Sequence, residues 1–134
     1  MTPEQCIKKH ILAVIAKWDN IEITLPEAPK EIEILYENAK NTDPSFSDVV
    51  ELVREGQVAT GLKPEYNKYY DGRSVAIKTD DGKWIGWTYW IGGGKYGTPQ
   101  QEEWISQSYF LKCTEKQKVV TVREFTLDNQ EETR

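Results

Sequence analysis

Near Gly61 the spacing of apolar residues changes from about 3.6 to two, so the two halves of the chain must fold as different kinds of element. Before that point, Ile7, Ile11, Val14, Ile15 and Trp18 recur on one helical face, with Lys8, Lys9 and Lys17 off it. Thr2-Pro3-Glu4-Gln5 supplies a start, with Thr2 and Gln5 as a capping box and Pro3 at the first helical position. Asp19-Asn20 ends this helix, and Ile21 to Pro29 reads as an extended connection. Ala28-Pro29 opens a second helix, in which Ile32, Leu35, Tyr36 and Ala39 share a face and Glu31, Glu33 and Glu37 point away. Asp43-Pro44 opens a third, with Phe46, Val49, Val50 and Val53 on one face and Gly56 past its end. The short connection predicts that the second and third helices pack as an antiparallel hairpin.

Beyond Gly61, the tyrosine-rich stretch Lys63 to Arg73 is broken by Pro64 and Asp71-Gly72 and reads as a loop. From Ser74 the period is two: Val75 and Ile77 alternate with Ala76 and Lys78, and Asp80-Asp81-Gly82 then marks a tight hairpin turn. The return strand, Lys83 to Ile91, carries Trp84 and Trp90 on one face and Trp87 and Tyr89 on the other, the mark of a strand that is central or covers something. Gly92-Gly93-Gly94 ends it. A third strand is predicted from about Trp104 to Cys113, a turn at Thr114–Lys118, and a fourth strand from Val119 to Leu127. The expected fold is α+β in two layers: about three N-terminal helices on one face of a C-terminal four-stranded antiparallel sheet. All 134 residues form one domain in this reading, with a helical part at 1–60, a sheet part at 61–127 and a polar tail at 128–134.

Charge and cysteine usage narrow the function. Fifteen aromatics give too much buryable surface for a disordered chain, and no apolar run approaches the roughly 20 residues of a membrane span. The net charge is −5; residues 1–60 hold six basic and eleven acidic side chains, and residues 61–125 hold ten and eight. An acidic chain lacks the basic excess that neutralises phosphates, which argues against direct nucleic-acid contact. Cys6 and Cys113 make no disulfide framework, and MTPEQCIKKH has no signal-peptide form, so the predicted compartment is the cytoplasm with both thiols free.

The chemical motifs fail one by one. Gly92-Gly93-Gly94-Lys95 suggests a phosphate loop, but Tyr89 stands where the Walker spacing needs glycine and Tyr96 follows the lysine. Cys6 and His10 lie four apart on the first helix and could act as a thiol–imidazole pair, with no orienting third group and no oxyanion site evident. A structural zinc site would need more ligands than Cys6, His10 and Cys113. Glu102-Glu103 point to opposite faces of a strand, and Asp80-Asp81 serve a turn. No enzyme, metal or cofactor is expected; a hydrolase using Cys6 and His10 is the weakest of the readings retained.

The strongest signal is aromatic. Eleven of the fifteen aromatics fall between Tyr66 and Phe110, more than one core face can hide. Trp87, Tyr89, Lys95 and Tyr96 around the glycines, with Tyr69, Tyr70 and Arg73 beside them, form one candidate binding surface. The acidic helical hairpin, represented by Glu33 and Glu37, forms the other. The function expected is a small acidic non-catalytic protein-binding module. Such motif-free acidic chains are common among inhibitors and immunity proteins of phages and mobile elements that act on nucleic-acid enzymes. The partner expected is a protein, a second copy included as a homodimer, without membrane contact. The alternative is a small-ligand domain with a tryptophan-lined pocket between sheet and helices.

Overall fold

The structure, a computed structural model, describes residues 1–92 and 103–128. Three helices and a four-stranded antiparallel sheet form an α+β two-layer fold, as the change of period predicts. Helix α1 spans Pro3–Trp18. At its start the Thr2 hydroxyl accepts from the Gln5 amide at 3.2 Å, and the Gln5 side chain accepts from the Thr2 amide at 2.9 Å, completing the capping box. At its end Asn20 adopts φ +57, the Asn20 amide donates to Lys17 and the Ile21 amide donates to Ala16, so two terminal carbonyls are satisfied. Ile7, Ile11 and Ile15 are buried, while Trp18, placed on the same stripe by its spacing, is half exposed at the helix end.

Helix α2 spans Pro29–Thr42 and stops just before Asp43, the residue whose backbone Pro44 restricts. Helix α3 spans Phe46–Arg54, slightly later than the Asp43-Pro44 signal, because Asp43 is spent on a turn and accepts from the Ser45 amide at 2.8 Å. Tyr36 and Phe46 meet edge to face at 5.2 Å and join α2 to α3.

The sheet order is β1-β2-β3-β4, with β1 Val58–Ala59, β2 Asp71–Lys78, β3 Trp84–Ile91 and β4 Tyr109–Leu111. β2 and β3 pair over eight residues across the Thr79–Lys83 turn, where Gly82 takes φ +87. Val75 and Ile77 of β2 stand opposite Trp87 and Ile85 of β3, and all four are buried with the apolar faces of the helices. The opposite face carries Gly72, Ala76, Trp84, Gly86 and Trp90. Two close approaches tighten it. Trp90 lies over Gly72, its cross-strand partner, and Tyr109 over Gly86; a Cβ on either glycine would stand 2.8 Å from the aromatic ring.

Three strands differ from the sequence reading. β2 begins at Asp71, inside the stretch read as a loop, because Asp71, Gly72 and Arg73 pair with Ile91, Trp90 and Tyr89. Trp104 does not begin a strand: residues 104–107 form a turn that tucks the Trp104 ring into the core, and pairing starts only at Tyr109. Val119–Leu127 is not the fourth strand. Its place in the count is taken by Val58–Ala59, which reaches β2 directly from α3 through Gln57 N–H to Ala76 and Thr60 N–H to Ser74. The physical reason lies in Thr114-Glu115-Lys116-Gln117-Lys118, which has no Gly, Pro, Asn or Asp to reverse the chain.

Candidate functional site

Three places gather side chains that the fold alone does not use up. The first is a groove on the sheet face away from the helices. Val58 and Leu62, both exposed, line it with Ala76, Trp84 and Leu111, around a volume of about 300 Å³. Register explains the gathering: Val58 pairs with Ala76, and Trp84 pairs with both Lys78 and Leu111, so neighbouring strands put these groups on one face.

The second is the acidic side of the helical layer. Glu33 is held there by Lys8, whose Nζ lies 2.7 Å from its carboxylate, 3.4 Å from Glu4 and 5.2 Å above the Tyr36 ring. Burial lowers the Lys8 pKa, but Glu33 and Glu4 outweigh it and the net direction is upward. Tyr36, between these charges, is pushed up to about 12 by burial and by Glu37, Glu33 and Glu4. Glu27 and Glu51 pair with Lys9 and Arg54. Glu31, Glu37, Asp48 and Glu55 remain exposed, and none of them makes an ion pair among the described residues.

The third is a cleft of about 410 Å³ between α1 and the β2–β3 turn, lined by Cys6, Lys9, His10, Glu27, Asp80 and Lys83. Burial lowers the His10 pKa; Asp80 opposes that shift and Lys17 adds to it. Asp80 is thus a carboxylate near His10, brought there by the β2–β3 turn lying against α1, a contact distant in sequence. Among the described residues, no hydrogen bond joins His10 to Cys6 or to Asp80. Among the described residues, no group of three or more His, Cys, Asp or Glu is placed to hold a metal ion. Cys6 is buried and Cys113 exposed, both as free thiols.

The aromatic surface expected from sequence comes apart. Trp87 leaves it: on the core face of central β3 it is fully buried, and its ring packs on Trp104 with centroids 4.8 Å apart. Both rings belong to the core cluster that the sheet shares with the helices. Tyr89 is half-buried beneath the Arg54 guanidinium, 4.6 Å from its ring centroid, and pairs across the strands with exposed Arg73. Those two residues share a small cleft with Glu55 at the end of α3. Tyr69 is exposed with Lys68 over its ring, and Tyr70 is half-buried just before β2. Lys95 and Tyr96 lie outside the described residues, as do Gly93 and Gly94. Of the two acidic candidates, Glu37 is exposed and Glu33 is engaged within the fold.

Arg54 was missed altogether. Its buried guanidinium donates to the Trp90 carbonyl at 3.3 Å and to Glu51 at 3.2 Å, and its own carbonyl accepts from Trp87. In sequence it is one more basic residue closing a helix, and only the adjacent Val53 and Gly56 hint at a buried end. Among the described residues, no helix is long and apolar enough to cross a membrane. Comparison with protein-family models, curated proteins and solved structures finds no match to this chain.

Proposed function

We propose that the chain is a non-catalytic protein-binding module that meets its partner through the sheet face away from the helices. The observation that carries this reading is the groove of Val58, Leu62, Ala76, Trp84 and Leu111, an apolar surface on the side with no helix among the described residues. The exposed carboxylates Glu31, Glu37, Asp48 and Glu55 support a basic partner, steered by the charge of the chain. A groove that binds a basic nucleic-acid enzyme as an inhibitor fits both features.

The test is binding by the whole chain, used as bait with nuclease present, compared with Val58→Lys/Leu62→Lys. A protein retained by the wild type and lost by that variant, at unchanged melting temperature, supports the groove. A partner held equally by both sinks it. Loss on Glu31→Lys/Glu37→Lys instead would transfer the contact to the acidic helices.

A second reading rests on the cleft around His10, where Lys9, Lys83, Glu27 and Asp80 offer both signs of charge to a small polar ligand. Thermal-shift screening with a metabolite and nucleotide panel, repeated on His10→Ala, decides it. A stabilising compound whose effect disappears in the variant favours the cleft; no shift in either chain leaves it without support.

A further inference from the structure

Among the described residues, a segment of strand composition lies outside the sheet, and the sheet ends in two edge strands, β1 and β4, of which β4 leads into that segment. Val119–Leu127 has strand composition, with Val119, Val120, Thr121, Val122 and Thr126 all β-branched, yet its apolar side chains are between 74% and 102% exposed. No residue from Lys112 to Asp128 is assigned to any strand or helix. β4 is an edge strand that pairs only with β3, so among the described residues its outer N–H and C=O groups have no strand beside them. Phe110, in its centre, is 48% exposed.

We propose that these are two halves of one joint made between copies of the chain. Val119–Leu127 of one copy adds as a fifth strand along β4 of a second copy, and the second copy returns its own. The exchange closes on a two-fold axis, so both arms are used and none is left over. It requires no third component, since this chain supplies both the donor and the acceptor.

Three observations select a second copy over folding back within one chain or over another protein. Thr114–Lys118 has no turn residue to bring the arm back onto its own β4. Nine residues extend for about 30 Å, longer than the three-residue edge they meet, and so carry contact past it onto the rest of the neighbouring copy. Lys112 to Leu127 holds four basic and two acidic side chains, whereas the whole chain carries −5, so the arm is attracted to a copy of the molecule that bears it. Each exchange must bury about 800 Å² for the pair to reach the roughly 1,600 Å² of a standard interface, a size suited to a strand with five apolar side chains. The joint runs along the outer edge of β4, whose last residue, Leu111, also lines the partner-binding groove; Val120 and Val122 do not line it, so their replacement tests the joint separately from the groove.

The test uses the full chain at micromolar concentration, with mass by light scattering and amide exchange read by mass spectrometry. The wild type is expected to be a dimer in which amides 119–127 exchange about tenfold more slowly than in Val120→Lys/Val122→Lys. That variant is expected to have half the mass and the same melting temperature when measured as a monomer, because the arm's side chains are solvent-exposed within one copy. A wild-type monomer overturns the proposal, and so does protection of 119–127 in a monomer, which would place the arm on its own sheet. A dimer that survives the two lysines overturns it as well.

Discussion

The indole Nε1 of Trp87 donates to the carbonyl oxygen of Arg54 at 2.8 Å, inside the core. That carbonyl belongs to the last residue of α3, one of the terminal helix acceptors with no partner in its own helix. The strand thus caps the helix. Arg54 answers from the same residue, sending its guanidinium to the Trp90 carbonyl and over the Tyr89 ring. Trp87, Tyr89 and Trp90 of a single strand are all tied to one arginine.

Trp87→Phe keeps an aromatic ring in place but removes the donor and part of the volume. The buried Arg54 carbonyl then lacks its partner, and a cavity opens beside Trp104. The expected loss is about 2–4 kcal/mol in urea unfolding. A change below about 0.5 kcal/mol would mean that the bond contributes nothing net.

Gly56 and Gly61 share nearly the same backbone, φ +77 and +76, but not the same surroundings. A Cβ on Gly56 would stand 2.6 Å from the Val75 Cβ, whereas one on Gly61 meets nothing within 4 Å. Gly61→Ala is therefore expected to cost only the left-handed strain, about 1 kcal/mol. Gly56→Ala adds overpacking against β2 and is expected to cost about 2–4 kcal/mol. Equal melting temperatures for the two variants would contradict this packing of α3 on β2.

His10 makes stability depend on pH. Its folded-state pKa is lowered from 6.5, chiefly by burial, so the unfolded chain takes up the proton first as pH falls. The stability contributed by neutral His10 is complete above pH 6.5 and is lost as pH falls through that value toward the folded pKa. His10→Gln is expected to flatten the melting temperature between about pH 5 and 7 relative to wild type. Parallel curves for the two chains would count against a buried neutral imidazole.

Glu33 and Glu37 separate structure from surface. Glu33→Lys sets a second cation beside Lys8, whose side chain is only 15% exposed, and is expected to cost about 1 kcal/mol. Glu37→Lys, on an exposed position without an ion pair among the described residues, is expected to leave the melting temperature unchanged. Destabilisation of the same size in both would show that the Lys8 pairing is not what distinguishes them.

The helices were legible because their signals are local. The capping box at Thr2, Pro29 at a first helical position and Gly56 past a helix end each act within a few residues. The β2–β3 hairpin was legible for the same reason, through alternation and the Asp80-Asp81-Gly82 turn. What escaped depends on contacts distant in sequence. Which face of β3 turns inward decides whether Trp87 is a contact residue or the centre of the core, and alternation gives two equal choices. Val58–Ala59 is too short to show a period, and Val119–Leu127 has strand composition without showing what it would pair with. The groove follows from register among four strands, which no single stretch of sequence encodes.

The eight-residue pairing of β2 with β3 closes over a five-residue turn, so the longest piece of the sheet costs the least loop entropy to form. Contact between α1 and β4, by comparison, spans roughly a hundred residues of chain. The order of events in folding should follow: the hairpin forms early, and the far ends of the chain meet late. In stopped-flow refolding, Ile85→Val is then expected to slow folding, and Ile11→Val to act on the unfolding rate instead. The joining of α1 to β4 would be the last step to form and the first to open.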